Sequence, residues 1–312
     1  MGCPTCGIGS AEVYYGVSGM TLTLAGDKSN MSKIVKRNRG RPSKKDVAAR
    51  IQAAKVTNET PAQMVTRIAE RFTVMYRLTQ GVISGAIRAV VVSGAPGTGK
   101  SHTINHLLET AHDKDTIRFE TVHGAVTAVN LYKLLYKYRA ANDIILLDDA
   151  DGIFDDVDAM NLLKAALDTS TVRKLSWLSE SAALKADNID TSFVYEGAII
   201  FITNTDFQGI VDYGKGKLAP HFSALMSRSI YLDLKLHTTE ELLAWCCHMV
   251  DKNGILRQHG LDRSQELDAI DWLKRNAHEC RDLSIRTLLK IAGFMKTDMT
   301  NWEVFANVTL LR

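Results

Sequence analysis

Apolar positions change their spacing several times along the chain, and each change marks an element. From about Asp46 to Ala86 they recur every three or four residues, with a break near Thr57–Pro61. Met64, Ile68, Phe72, Met75 and Leu78 then share one side of a helix, which predicts that this side is buried. Thr60 ahead of Pro61 is a suitable helix start. The period then shortens. Ala89-Val-Val-Val-Ser93 is an unbroken apolar run, the pattern of a strand covered on both faces. Four further runs are strand-like: Ile117–Glu120, Ile144–Leu147, Ala198–Ile202 and Ile230–Leu234. Helical spacing separates most of them, at His102–His112, Ala128–Ala140 and Ala159–Leu167. Strands alternating with helices predict an α/β fold with a central parallel sheet flanked by helices. Beyond Lys235 only helical patterns occur, at Thr238–Val250, Gln265–Asn276 and Ser284–Met295, which predicts a small all-helical C-terminal subdomain.

Composition narrows the class. The 312 residues, 46% hydrophobic and 23% charged, are enough to bury a real core and have the balance of a soluble globular protein. No apolar run approaches the roughly 20 residues that cross a bilayer, and the N-terminus lacks a basic-then-apolar signal pattern. A cytoplasmic protein without a membrane partner is the expectation. The five cysteines fit that compartment, because Cys246 and Cys247 are adjacent on a helical stretch and Cys280 lies on another. Cys3-Pro-Thr-Cys6 has the spacing of half a zinc site, with no second pair nearby; the other reading is a tail without metal. Residues 1–30 differ in pattern from the rest, and Met31-Ser-Lys offers an alternative start.

Gly94-Ala95-Pro96-Gly97-Thr98-Gly99-Lys100-Ser101 satisfies G-x-x-x-x-G-K-[ST] in full, between an apolar strand and an amphipathic helix. Each part has a physical purpose. Glycines let backbone N–H groups turn inward around an anion, and the helix start adds its positive dipole end. Lys100 supplies a point charge to β- and γ-phosphates, and the Ser101 hydroxyl is a ligand for Mg²⁺. Ile144-Ile-Leu-Leu-Asp148-Asp149 places two carboxylates at a strand end. Asp148 is the candidate metal acid and Asp149 the candidate for orienting an attacking water. The acids that follow, Asp151, Asp155 and Asp156, read as an acidic turn capping a helix.

With these motifs the chain resembles an AAA+ ATPase over roughly residues 60–300, and the resemblance implies ATP and Mg²⁺ as cofactors. Asn204, after the strand Ala198–Ile202, matches the family's first sensor, beside the γ-phosphate. Arg286 in Leu283-Ser-Ile-Arg286 resembles the second sensor, which reaches back from a helical lid. Arg228 in Ala224-Leu-Met-Ser-Arg228-Ser resembles the arginine finger that enters a neighbouring subunit's site, implying a homo-oligomeric ring or partial ring. The implied organisation is a tail over 1–46, a helical linker over 47–87, an ATPase core over 88–235 and a helical lid over 236–312. One departure stands out: family members commonly carry Glu at Asp149, and the shorter side chain implies slow hydrolysis or adjusted geometry.

Net charge is +3, from 38 basic and 35 acidic residues, but seven bases and no acid lie between Lys33 and Lys45. Removing those seven leaves the rest of the chain at −4. Within the cluster Arg39-Gly40-Arg41-Pro42 resembles an AT-hook, whose arginines enter the narrow minor groove of A·T-rich DNA. A nonspecific RNA-binding or merely solubilising tail is the other reading. Thr171–Trp177 and Ser192–Tyr195 read either as a hairpin, with Arg173 and Lys174 as candidate nucleic-acid contacts, or as a surface loop. The expected function is ATP hydrolysis by an oligomer acting on DNA. The alternatives are an ATP-gated DNA matchmaker or switch with little turnover, and a protein-remodelling chaperone.

Overall fold

The computed structural model describes residues 59–213 and 218–312. The basic cluster with Arg39, Gly40, Arg41 and Pro42, and the Cys3–Cys6 pair, lie outside the described residues. In chain order the elements are α1 (Pro61–Ile83), β1 (Ala89–Ser93), α2 (Lys100–His112), β2 (Arg118–His123), α3 (Ala128–Lys137) and β3 (Asp143–Asp148). A 3-10 turn over Asp151–Asp155 leads to α4 (Val157–Ala166), β4 (Lys174–Ser176), α5 (Ala182–Ala186) and β5 (Ser192–Val194). Then come β6 (Ala198–Thr203), α6 (Phe207–Tyr213), α7 (Ala219–Arg228) and β7 (Ile230–Asp233). Five helices close the chain: α8 (Thr239–Asp251), α9 (Ile255–Gln258), α10 (Arg263–Asn276), α11 (Ile285–Thr297) and α12 (Trp302–Leu310).

All five strands expected from the apolar runs join one parallel sheet, in the order β2-β3-β6-β1-β7. Right-handed crossovers put a helix on one face when the chain steps one way across a sheet, and on the other when it steps back. From β1 the chain steps out to the β2 edge; every later step runs the other way. Side-chain alternation follows. Val90, Val92, Ile144, Leu146, Ile200 and Ile202 pack with α1 and α2, whereas Ala89, Val91, Ile145, Leu147, Ile199 and Phe201 pack with α3, α4, α6 and α7.

The structure refines the sequence reading at three places. Residues 61–83, expected within a linker, form a packed layer: Ile68, Phe72 and Met75 are buried in the same cluster as β1 and α8. Thr60 caps this helix reciprocally with Gln63, as expected of its position ahead of Pro61. β4 and β5 do pair as an antiparallel hairpin, with Lys174 opposite Val194. Arg173, however, is only 3% exposed. Its guanidinium donates to Ala166 O at 2.7 Å and Gly197 O at 2.8 Å beneath the Tyr195 ring, so it staples the hairpin to the sheet and is not a nucleic-acid contact. Finally, α12 buries Trp302, Ala306 and Leu310, an i, i+4, i+8 pattern too short to stand out along the chain. Among the described residues no helix is long and apolar enough to cross a membrane.

The seam where β6 leaves the hairpin is tight. A Cβ on Gly197 would meet Tyr138 O at 2.5 Å and Asp143 O at 3.1 Å, both backbone atoms of other segments. Gly197→Ala is therefore expected to cost about 1–3 kcal/mol in urea unfolding. An unchanged midpoint would mean that these two carbonyls move aside freely.

Candidate functional site

In open α/β sheets, ligands settle at the carboxyl ends of strands where the direction of travel reverses. Here that point lies between β1 and β6, and the loop 94–99 crosses it into α2. Gly97 and Gly99 adopt φ +67° and +101°, angles that glycine takes without a Cβ clash. A side chain at Gly97 would also stand 2.7 Å from Ser284 Cβ. The loop is tied from both sides. Gly94 N–H donates to Thr203 O at 3.3 Å, Ile285 N–H donates to Gly97 O at 3.0 Å, and Trp245 Nε1 donates to Thr98 O at 3.1 Å.

Lys100, the first residue of α2, is 5% exposed. Its ammonium donates to Gly94 O at 2.6 Å, Ala95 O at 2.8 Å and Asn204 Oδ1 at 3.0 Å. Burial pushes its pKa down to about 8, against the pull of Asp149 and Asp148, and the Arg286 charge adds to the lowering. Ser101 Oγ donates to Asp148 Oδ1 at 2.8 Å. Two adjacent oxygen ligands of this kind suit Mg²⁺, which completes its shell with phosphate and water oxygens. Among the described residues no group of three or more His, Cys, Asp or Glu side chains forms a metal site on its own.

Asn204 follows β6 and bridges the two charges, its Oδ1 on Lys100 and its Nδ2 on Asp149 Oδ1 at 2.9 Å. Asp149 is in the left-handed region at φ +52°, with its N–H on Ile202 O at 3.1 Å. This conformation is uncommon outside glycine, and Asp and Asn enter it most readily among the rest. It turns the carboxylate from the strand end toward Asn204. Arg286, in the first turn of α11, lines the same cleft with an exposed side chain. Gly94 to Ser101, Asp148, Asp149, Asn204 and Arg286 are thus brought together.

Arg228 is not among them. It ends α7, where Nη1 donates to Ala224 O at 3.1 Å and Nε lies 3.5 Å from Asp168 Oδ1. There it lines a second cleft, with Lys164, Val172 and Lys174.

Some contacts could not be anticipated from spacing. Asp156 caps α4 as an acidic turn should, accepting from Asp158 N–H and Ala159 N–H. Asp151, expected in the same capping turn, instead accepts from Thr205 Oγ1 through its Oδ2 at 2.9 Å and so ties the 3-10 turn to the loop after β6. His123, at the end of β2, places Nδ1 3.5 Å from Asp148 Oδ2. Trp245 reaches the loop from the C-terminal helices with no motif to announce it, and Ile285, inside the Leu283–Arg286 segment, reaches it through its backbone N–H.

No protein-family model matches the chain. It is 40% identical over 248 residues to the uncharacterized 36.7 kDa protein in the nrdC–mobD intergenic region of Enterobacteria phage T4. The match covers 80% of this chain and 76% of the phage protein. The chain belongs to the family of that phage protein. Since the T4 member is itself uncharacterized, the chemistry of the site has to be read from its geometry.

The lowered Lys100 pKa carries a sign. Between about pH 8 and its ordinary value of 10.5, the unfolded state binds more protons at this residue than the folded state. Its burial penalty is therefore fully present below pH 8 and fades as pH rises toward 10.5. Relative to Lys100→Met, the wild-type protein should gain stability across that window, by about 1.4 kcal/mol for each pH step of one. Urea midpoints of both proteins at about pH 7.5 and about pH 11 check this, on either side of the transition. A constant difference would mean that Lys100 titrates normally.

Proposed function

We propose that the chain is an AAA+-type ATPase that takes MgATP in the cleft at the ends of β1, β3 and β6 and works on DNA as an oligomer. The observation that carries this reading is a convergence. Four segments far apart in sequence (94–101, 148–149, 204 and 286) deliver a glycine loop, a buried cation, a hydroxyl–carboxylate pair, an amide-bridged second carboxylate and a further cation to one cleft.

In this reading the loop N–H groups and Lys100 hold the phosphates, and Ser101 with Asp148 holds the metal. Bound Mg²⁺ would neutralise charge on the phosphate oxygens. Asp149 accepts the proton side of a water that Asn204 helps to orient, and Arg286 brings the C-terminal helices over the nucleotide as a lid. A second reading, a nucleotide-gated switch with little turnover, draws on the Asp149 carboxylate, which is short and already engaged by Asn204.

Arg228 fits a role in the neighbouring subunit. The two ends of α4 carry opposite surfaces. Its N-terminal end exposes Asp155, Val157 and Asp158, and its C-terminal end adjoins Lys164, Val172, Lys174 and Arg228, with Asp168 beside Arg228 as the single acid of that cleft among the described residues. A ten-residue helix is about 15 Å long, which keeps these ends apart within one chain. Head-to-tail contact between copies pairs acid with base and apolar with apolar, and brings Arg228 toward the acid-bearing side of the next subunit.

Calorimetric titration with MgATP, followed by turnover with and without DNA, tests the reading. Lys100→Ala should lose nucleotide binding, whereas Asp149→Asn should keep MgATP and lose hydrolysis. Arg228→Ala should bind normally and turn over at least tenfold more slowly, with partial recovery when mixed with Asp149→Asn subunits. A wild-type protein that does not bind MgATP would end the proposal. For the arm, deletion of residues 1–45 should spare basal turnover, lower DNA affinity and flatten its salt dependence. If Arg39 and Arg41 enter a minor groove, replacing both with Ala should weaken A·T-rich duplex binding most; a uniform loss would mark a plain electrostatic tail.

A further inference from the structure

We infer that Trp245 is a positioning residue for the phosphate loop: by holding the Thr98 carbonyl, its indole N–H keeps the Gly99 N–H aimed into the cleft. The inference rests on the nucleotide reading of that cleft. It follows from the planarity of the peptide unit. The described peptides are all trans, so the C=O of one residue and the N–H of the next point in opposite directions. Two consecutive peptide planes in the loop are gripped from the same side. Ile285 N–H holds Gly97 O at 3.0 Å, and Trp245 Nε1 holds Thr98 O at 3.1 Å. The N–H groups of Thr98 and Gly99 are thereby directed away from these two donors, toward the space that the loop encloses.

The grip is rigid because the loop does not set the position of the indole. Trp245 is 2% exposed and stacks on Phe72 of α1, with ring centroids 4.5 Å apart and planes 19° from parallel. His248 stacks beside it at 5.4 Å. Core packing between α1 and α8 therefore fixes where the donor sits. Thr98 is itself buried, so its carbonyl without Trp245 has no water to turn to. Rotating that peptide would relieve the carbonyl but would point its oxygen where the N–H had been, and an oxygen dipole repels a phosphate. Backbone N–H groups of such a loop cradle the α- and β-phosphates. Loss of the indole donor should therefore weaken MgADP and MgATP alike.

Trp245→Phe retains an aromatic ring on Phe72 and removes the donor. Its Kd for MgADP and for MgATP should each rise about tenfold, equivalent to about 1.4 kcal/mol. Trp272→Phe is the control. Trp272 is as deeply buried in the same helical unit, and its indole donates to Asn307 Oδ1 at 2.9 Å, with no contact to the loop. That variant should bind both nucleotides as the wild type does. Normal binding by Trp245→Phe, or equal weakening in the two variants, would overturn the inference. If Trp245→Phe does not fold, benzothienylalanine at position 245, which keeps the bicyclic shape with sulfur in place of N–H, gives the same readout. A wild-type protein that binds neither nucleotide would defeat the reading of the cleft. The clamp is then judged on the Trp245 indole proton by NMR, where slow solvent exchange supports it and exchange as fast as that of a free indole refutes it.

Discussion

Because the chain leaves β1 in the opposite direction from every later crossover, its glycine loop turns to one face of the sheet while the ends of β3 and β6 turn to the other. The crevice between them is the one place where a buried cation, two strand-end carboxylates and an amide can meet. Strand register then sets their heights. β1 pairs with β6 through Ser93 and Thr203, and β3 pairs with β6 through Asp148 and Ile202. These pairings bring Lys100, Asn204 and Asp149 into a single hydrogen-bonded chain.

That chain is held together by charge that would otherwise be costly. A lysine this buried loses hydration, and two loop carbonyls with the Asn204 amide oxygen replace only part of it. Asp149 and Asp148 support the charged form without fully offsetting the burial. The arrangement thus costs stability and leaves a positive charge that its neighbours only partly neutralise. Residues at binding sites commonly reduce stability in this way, because a preorganised charge is useful only if it is not already neutralised by its neighbours.

The C-terminal helices are part of the same construction. α8 packs on α1 through the Phe72–Trp245 stack, and Arg67 of α1 reaches Glu241 of α8 at 2.6 Å. Glu241 also closes the capping box of α8 with Thr238. One apolar cluster runs from the sheet face through α1 and α2 into α8, α10 and α11. The loop is therefore held by both α2 and the C-terminal helices, with Lys100 of α2 on the Gly94 and Ala95 carbonyls and the C-terminal helices on those of Gly97 and Thr98.

Much of this was legible in the chain itself, because the relevant signals are local. Unbroken apolar runs located β1, β3 and β6, which are buried along their whole length, whereas the edge strands β2 and β7 were marked by runs interrupted at Arg118, Glu120 and Asp233. The eight residues from Gly94 to Ser101 marked a tight loop between β1 and α2, since close backbone approach and positive φ restrict which residues can stand there. Burial of Arg173, the partnering of Asp151 with Thr205, and the hold of Trp245 on Thr98 were not legible. Trp245 is 147 positions from Thr98, and nothing in its local pattern separates it from an ordinary core aromatic. Local sequence determined which elements form and which residues can bear chemistry. Only the tertiary fold decided which of those residues meet, because crossover direction and strand register act between segments and leave no mark within any one of them.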